Sequence, residues 1–428
     1  MSDSTIDLDG SAGDAAAPDL GSRAVDPQLD ALRAAIAADL PAYLDDLRRL
    51  VDTDCGSYTP EGVNEIGRWT ADFLRELGAE LDIRPDPSGR FGDTVVATFS
   101  GRSGGARVLL IGHMDTVFDP GTVAERPFRI DDGVAYGPGV TDMKSGLLAG
   151  LYALKSIIGE QGGLPFERLT FIANPDEEVG SPTSSVHIRE VAADADACLV
   201  LECARANGDI VSARKGILDT RLTVHGRAAH AGVEPEKGRN AILEAARLVR
   251  DLHGLNGRWP GVSVNVGVIR GGTRPNVVAE RCELEVDVRA TTSEGLDAVE
   301  AAVREVATAT EVADTTVDAQ VMVAWRPMEK LERSGRLVEH AQTVASRLGF
   351  SIKDTSTGGA SDANTTSGMG VPSLDGLGPI GGSDHSPSEY LDVDSIVPRT
   401  ALLAGLLLAI ARDPEILAWR DDDPRFAP

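Results

Sequence analysis

An α/β protein with a largely parallel sheet, interrupted by an inserted ferredoxin-like α+β unit, is the fold this sequence predicts. Short apolar runs alternate with helical stretches up to about residue 214. A block of β-α-β-β-α-β order then occupies 215–324, which is the ferredoxin-like pattern. Helical and buried-strand patterning resumes from Arg336, so the middle block reads as an insertion. The division is 27–214 and 325–428 for the two parts of a larger domain, and 215–324 for the inserted unit.

Each element has its own signal. Leu29, Leu32, Ile36, Leu40, Leu44 and Leu47 recur at helical spacing, and Val63 to Leu77 reads as a second helix. Val108–Ile111, Leu169–Ile172 and Ala197–Leu201 are short runs apolar on every residue, as strands buried on both faces are. Helices at 145–158 and 184–191 lie between them, and strands alternating with helices argue for a parallel sheet. Within the insertion Leu218, Thr220, Leu222 and Val224 alternate with polar residues, as do 262–268 and 282–288. Helices at 240–252 and 293–308 and a strand at 316–323 complete the unit.

Composition narrows the function. The chain has 428 residues and a formal charge of −26, so it lacks the basic face that nucleic-acid binding needs. An anionic substrate must then be held by local Arg or Lys against a repulsive overall field. Residues 1–26 hold six Asp and one Arg with no apolar run, which predicts a disordered acidic tail rather than a signal peptide or anchor. The run Leu402–Ile410 is too short to span a bilayer, so no membrane partner is expected. Cys55, Cys198, Cys203 and Cys282 show no paired spacing, which fits a reduced, cytoplasmic protein.

Polar residues fall where chemistry would need them. Strand 108–111 ends in Gly112-His113-Met114-Asp115, strand 169–172 in a stretch reaching Asp176-Glu177-Glu178, and strand 197–201 in Glu202. Asp142 stands just before the helix at 145. Carboxyl ends of strands in an open α/β sheet form its ligand crevice, so one His and at least four carboxylates converge there. Like charges at such range need a compensating cation, and His nitrogen mixed with carboxylate oxygen suits Zn²⁺. Asp115, two residues beyond His113, is placed to fix the imidazole tautomer.

These segments carry a resemblance. GHMDTVF (112–118), GPGVTDMKSG (137–146), PDEEVGS (175–181), LVLE (199–202) and AAHAG (228–232) resemble the M20 family of zinc metallopeptidases, most of all its glutamate carboxypeptidase branch. The resemblance implies a zinc-peptidase-like catalytic domain, in two parts over 27–214 and 325–428, holding two Zn²⁺, replaceable by Co²⁺ or Mn²⁺, with 215–324 as a lid and dimerisation domain. In it Asp142 bridges the ions, His113 and Glu202 complete one site, and Glu178 and His385 the other. Glu177 is implied as general base and His230 as an oxyanion donor serving the neighbouring subunit of a homodimer. Asn276 and Arg289 are implied binders of the substrate carboxylate, with Gly358 and Gly359 in a glycine-rich loop beside it and Arg326 a weaker candidate. A cis peptide after Asp142 is also implied.

The expected activity is cleavage of an amide or peptide bond next to a free carboxylate, releasing a C-terminal, glutamate-like amino acid from a small peptide or N-acyl amino acid. A deacylase of the acetylornithine or succinyl-diaminopimelate type uses the same residues. An inactive dimeric binding protein on the same scaffold is the third reading, and it would be expected to lack Glu177 or a ligand. The stretch 203–214 has no counterpart that can be matched residue by residue.

Overall fold

The computed structural model describes residues 26–422. The acidic tail expected over 1–26 therefore lies outside the described residues, save Asp26. That residue caps the first helix, Pro27–Val51, its Oδ1 accepting from Leu29 N–H at 3.3 Å while Pro27 sets the first helical φ.

Six strands make the central sheet, in the order Glu80–Arg84, Thr94–Ser100, Arg168–Asn174, Arg107–His113, Ala197–Val200 and Ser373–Leu374. Arg107–His113 runs parallel to both of its neighbours, and Ser373–Leu374 runs parallel to Ala197–Val200. Thr94–Ser100 alone is antiparallel to the strands on either side of it. The all-apolar runs follow from burial on two faces. Val108 and Leu110 pack into the larger core with the helices Pro27–Val51, Ser145–Gln161, Glu332–Leu348 and Ile396–Arg412. Leu109 and Ile111 point the other way, toward Ile188, Ala192 and Ala363 under the helices Ser185–Ala192 and Asp362–Gly368.

The stretch Val393–Arg412 is longer than the apolar run picked out from sequence and could by length cross a bilayer. In the fold, 72% of its apolar window is buried within the protein, against the other three helices of that layer. A helix hydrophobic all round is what the centre of a helical layer requires.

The inserted unit is a four-stranded antiparallel sheet ordered Ser263–Gly271, Arg281–Ala290, Gly216–His225, Thr316–Trp325. Leu218, Leu222 and Val224 join Leu284, Val286 and Val288 on one face, covered by the helices Ala241–His253 and Ser293–Thr308. The chain leaves and re-enters the larger body at one place: Arg214 and Met328 exchange backbone hydrogen bonds of 2.9 and 3.0 Å.

Candidate active site

Three parallel strands deliver the site at their carboxyl ends. His113 is the last residue of its strand, Glu177 and Glu178 follow Asn174 by a short turn, and Glu202 follows Val200. Asp142 lies in a loop before the helix Ser145–Gln161, where it and Met143 have non-helical φ/ψ and are joined by a cis peptide. His385, remote in sequence, enters from a loop in which it holds φ +60°.

Asp142 stands between the two imidazoles. Its Oδ1 is 3.1 Å from His113 Nε2, and its Oδ2 is 3.1 Å from His385 Nε2. Glu178 Oε2 lies 3.0 Å from the same His385 nitrogen. Glu202 Oε1 and Glu177 Oε2 are 3.8 and 4.0 Å from His113 Nε2. The other ring nitrogen of His113 faces the backbone carbonyl of Asp115 at 3.0 Å and its carboxylate at 3.4 Å, which turns Nε2 toward the cluster. Asp115 is fully buried and itself held, accepting from Ser57 Oγ–H at 2.6 Å and from the Glu177 and Glu178 N–H groups at 3.2 Å.

Electrostatics show how costly this packing of anions is. Burial pushes Glu177 and Glu202 well above the usual carboxylate range and Glu178 up to about 7. Hydrogen bonds from His113 and His385 outweigh burial at Asp142 and hold it low. Burial opposes charge on His113, but its bonds to Asp115 and Asp142 raise it overall. His385 is pushed up to about 11, chiefly by Asp142 and then Glu178. Such a cluster calls for compensating positive charge. A divalent cation fits the donors: His113 with Glu177 and Glu202, and His113 with Asp142 and Glu178, each present ligand atoms within 4.8 Å of one another. Glu178 Oε1, moreover, is buried with no hydrogen-bond partner among the described residues.

The remaining candidates stand apart. His230 is exposed on the inserted unit, accepting from Gly232 N–H at 3.2 Å and pairing with Val277, and no bond joins it to the cluster among the described residues. Asn276 is exposed beside it, its carbonyl accepting from Ala231 N–H. Arg289 is already engaged, its guanidinium gripping Asp287 through Nε at 2.8 Å and Nη2 at 2.6 Å. Arg326 is not brought to the cluster: it pairs with Asp297 on the helix Ser293–Thr308. Gly358 and Gly359 are exposed, and Gly359 carbonyl accepts from Arg214 Nη1 at 3.2 Å.

Arg214 was missed in the sequence. It is buried, donates from Nε to Asp375 at 2.7 Å, and is close enough to Glu202 to offset part of that carboxyl's rise. A lone charge ending the apolar strand Ile210–Arg214 was the available signal, since a buried Arg must be paired. Ser57 left no comparable signal.

Comparison with known proteins gives the family and the fold. Residues 109–409 match the model of peptidase family M20/M25/M40. The chain is 31% identical to carboxypeptidase G2 of Pseudomonas sp. (strain RS-16) over 372 residues, 86% of this chain and 89% of that one. It is 30% identical to acetylornithine deacetylase of Proteus mirabilis (strain HI4320) over 268 residues, 58% of this chain and 67% of the other. Among solved structures, aminopeptidase PepT from Bacillus cereus ATCC 10987 shares the fold with a TM-score of 0.71 at 24% identity, covering 87% of this chain and 99% of that one. The M20 family metallo-carboxypeptidase Sso-CP2 from Sulfolobus solfataricus gives 0.70 at 15% identity, covering 86% and 99%.

Proposed function

Because the chain belongs to peptidase family M20/M25/M40 and is a hydrolytic enzyme, we propose that it is a two-zinc hydrolase cleaving an amide or peptide bond next to a free carboxylate, with release of a C-terminal, glutamate-like amino acid. The observation that carries the two-ion reading is Asp142, whose two oxygens each face a different imidazole at 3.1 Å. His113 and Glu202 would hold one ion, Glu178 and His385 the other, with Asp142 shared. Bound there, a pair of divalent ions would make water easier to deprotonate and would supply positive charge near the scissile carbonyl.

The chain's own groups do the rest. Glu177, buried beside His113 and raised by that burial, takes the proton of the attacking water and passes it to the leaving amine. Arg289 receives the substrate carboxylate by exchanging it for Asp287, one carboxylate for another on the same planar fork. Asn276, beside His230 and at the opposite end of the inserted sheet from Arg289, adds its amide donor from the same subunit as His230, and the exposed backbone at Gly358 and Gly359 lets substrate approach closely. His230 donates to the developing oxyanion from a second subunit. Support for the dimer comes from the inserted unit, where Ile242 and Leu243 are 41% and 60% exposed on a helix adjoining the open edge strand Ser263–Gly271. Four buried cysteines, all free, support a reducing, cytoplasmic setting.

Likeness to the acetylornithine deacetylase favours a second reading, removal of an acyl group from an N-acyl amino acid. Metal analysis paired with a substrate panel tests both. We expect two ions per chain, loss of activity on chelation, and turnover of N-acylglutamates above N-acetylornithine. Full activity with no bound metal sinks the proposal, and the reverse substrate preference selects the second reading.

A further inference from the structure

We propose that Glu389 is a positioning residue that fixes the Asp142 loop and ties it to the segment carrying His385. Glu389 is 1% exposed, and its carboxylate faces backbone rather than a cation. Oε2 accepts from Gly139 N–H at 2.8 Å, and Oε1 accepts from Thr141 N–H at 2.9 Å and Asp142 N–H at 3.0 Å. These donors belong to a stretch that is not a regular helix: Gly139 holds φ +70°, and Asp142 and Met143 leave helical geometry. Their N–H groups therefore have no regular ladder to join, and burial makes an unpaired one costly.

The other end of Glu389 is equally fixed. Gly382 pairs with Tyr390 across the loop that holds His385, and Tyr390 pairs in turn with Tyr136. The carboxylate thus stands on a closed loop only four residues beyond His385 and reaches the backbone of Asp142. Two loops 243 residues apart in sequence, at 142 and 385, are set relative to each other by one side chain. The separation between His385 Nε2 and Asp142 Oδ2, 3.1 Å, depends on that setting. An amide cannot replace it, because its NH₂ would meet the N–H of either Gly139 or the Thr141–Asp142 pair, donor against donor.

This inference rests on the reading of Asp142 and His385 as metal ligands. It is tested on the full-length protein by titrating Zn²⁺ against a competing chelator, beside thermal unfolding of the metal-stripped form. Glu389→Gln should stay folded and bind Zn²⁺ about 10- to 100-fold more weakly, as loss of a group orienting a ligand does. Its activity should return toward wild type in excess zinc, with KM unchanged. Glu389→Asp, which keeps the charge on a shorter arm, should recover part of the affinity, and it carries the test should the Gln variant not fold. Wild-type zinc affinity with only a lowered unfolding temperature overturns the inference and leaves a merely structural glutamate. Wild-type protein that binds no zinc overturns the metal reading itself, and this inference with it.

Discussion

Arg399 buries a guanidinium in the larger body with no carboxylate at ion-pair distance among the described residues. Its three donors go to the carbonyls of Gly378 at 3.0 Å, Gly208 at 2.9 Å and Gly376 at 2.6 Å, and burial pulls its pKa down to about 10. Gly378 N–H in turn donates to the Glu202 carbonyl at 2.8 Å, so the clamp lies directly behind the site. Arg399→Met leaves three buried carbonyls without a charged donor, each such bond being worth about 1.5–3 kcal/mol, while relieving the burial of the charge. The net loss should be roughly 3 kcal/mol, read from urea unfolding, and a loss below about 0.5 kcal/mol, the scale of an ordinary surface change, would show that the clamp is idle. Neighbouring Glu177 and Glu178 should separate cleanly. Glu177→Ala should keep its metal and lose roughly 10²–10⁴-fold in kcat, the usual contribution of a general base. Glu178→Ala should lose metal as well, and equal metal loss in both would mean that the two roles are misassigned.

Among elements, those buried on both faces or on alternate residues were legible. Leu109 and Ile111 against Val108 and Leu110 describe a strand with two cores, and the sequence needs no further information to say so. Thr94–Ser100 is mostly buried as well, yet neither the strand nor its reversed direction was read. Only residues 101–106 separate it from the next strand, too few for a crossover, and that shortness was the signal. Ser373–Leu374 is too short to show any period. At the site, Glu202 and His113 announce themselves as polar ends of apolar strands, whereas His385 sits in a loop with no pattern and was found only by family resemblance. The helix packing carries its own test. Asp413, capping Ile396–Arg412, bonds Arg336 at 2.7 Å, His340 at 2.6 Å and Glu415 N–H at 2.9 Å. Burial would raise its carboxyl, but Arg336 and His340 hold it down at about 2. A carboxyl depressed on folding stabilises fully above its unfolded pKa and loses that contribution as pH falls toward the folded value. Asp413→Asn should therefore unfold at lower temperature than wild type at pH 6, with the gap closing between about pH 4 and 2. A gap that persists at pH 2 would exclude this charge as its source.

For the whole molecule the question is whether one chain makes a complete site. His230 is exposed, accepts from Gly232 N–H and pairs with Val277, and no bond joins it to the carboxylate cluster among the described residues. Under the proposed dimer, Glu177→Ala and His230→Ala homodimers are each nearly inactive. Mixed under conditions of subunit exchange, half the dimers are hybrid and each hybrid holds one intact site of two. Activity should then recover to about a quarter of wild type, the limit set by two-fold symmetry. Proven exchange without recovery would place His230 in its own subunit's site or outside catalysis.

The hydrogen-bonded pair of Arg214 and Met328 gives the insertion a particular standing. Seen from the larger body, more than a hundred residues amount to one turn, entering and leaving through adjacent backbones. Lengthening such a turn costs little, since closure entropy grows only with the logarithm of its length. The position is thus a socket: any compact unit whose own two ends lie side by side can be seated there without disturbing the register of the strands below. The chemistry at the strand ends and the surface of the inserted unit are free to change on separate schedules, the first held by the sheet and the second exchanged as a cassette.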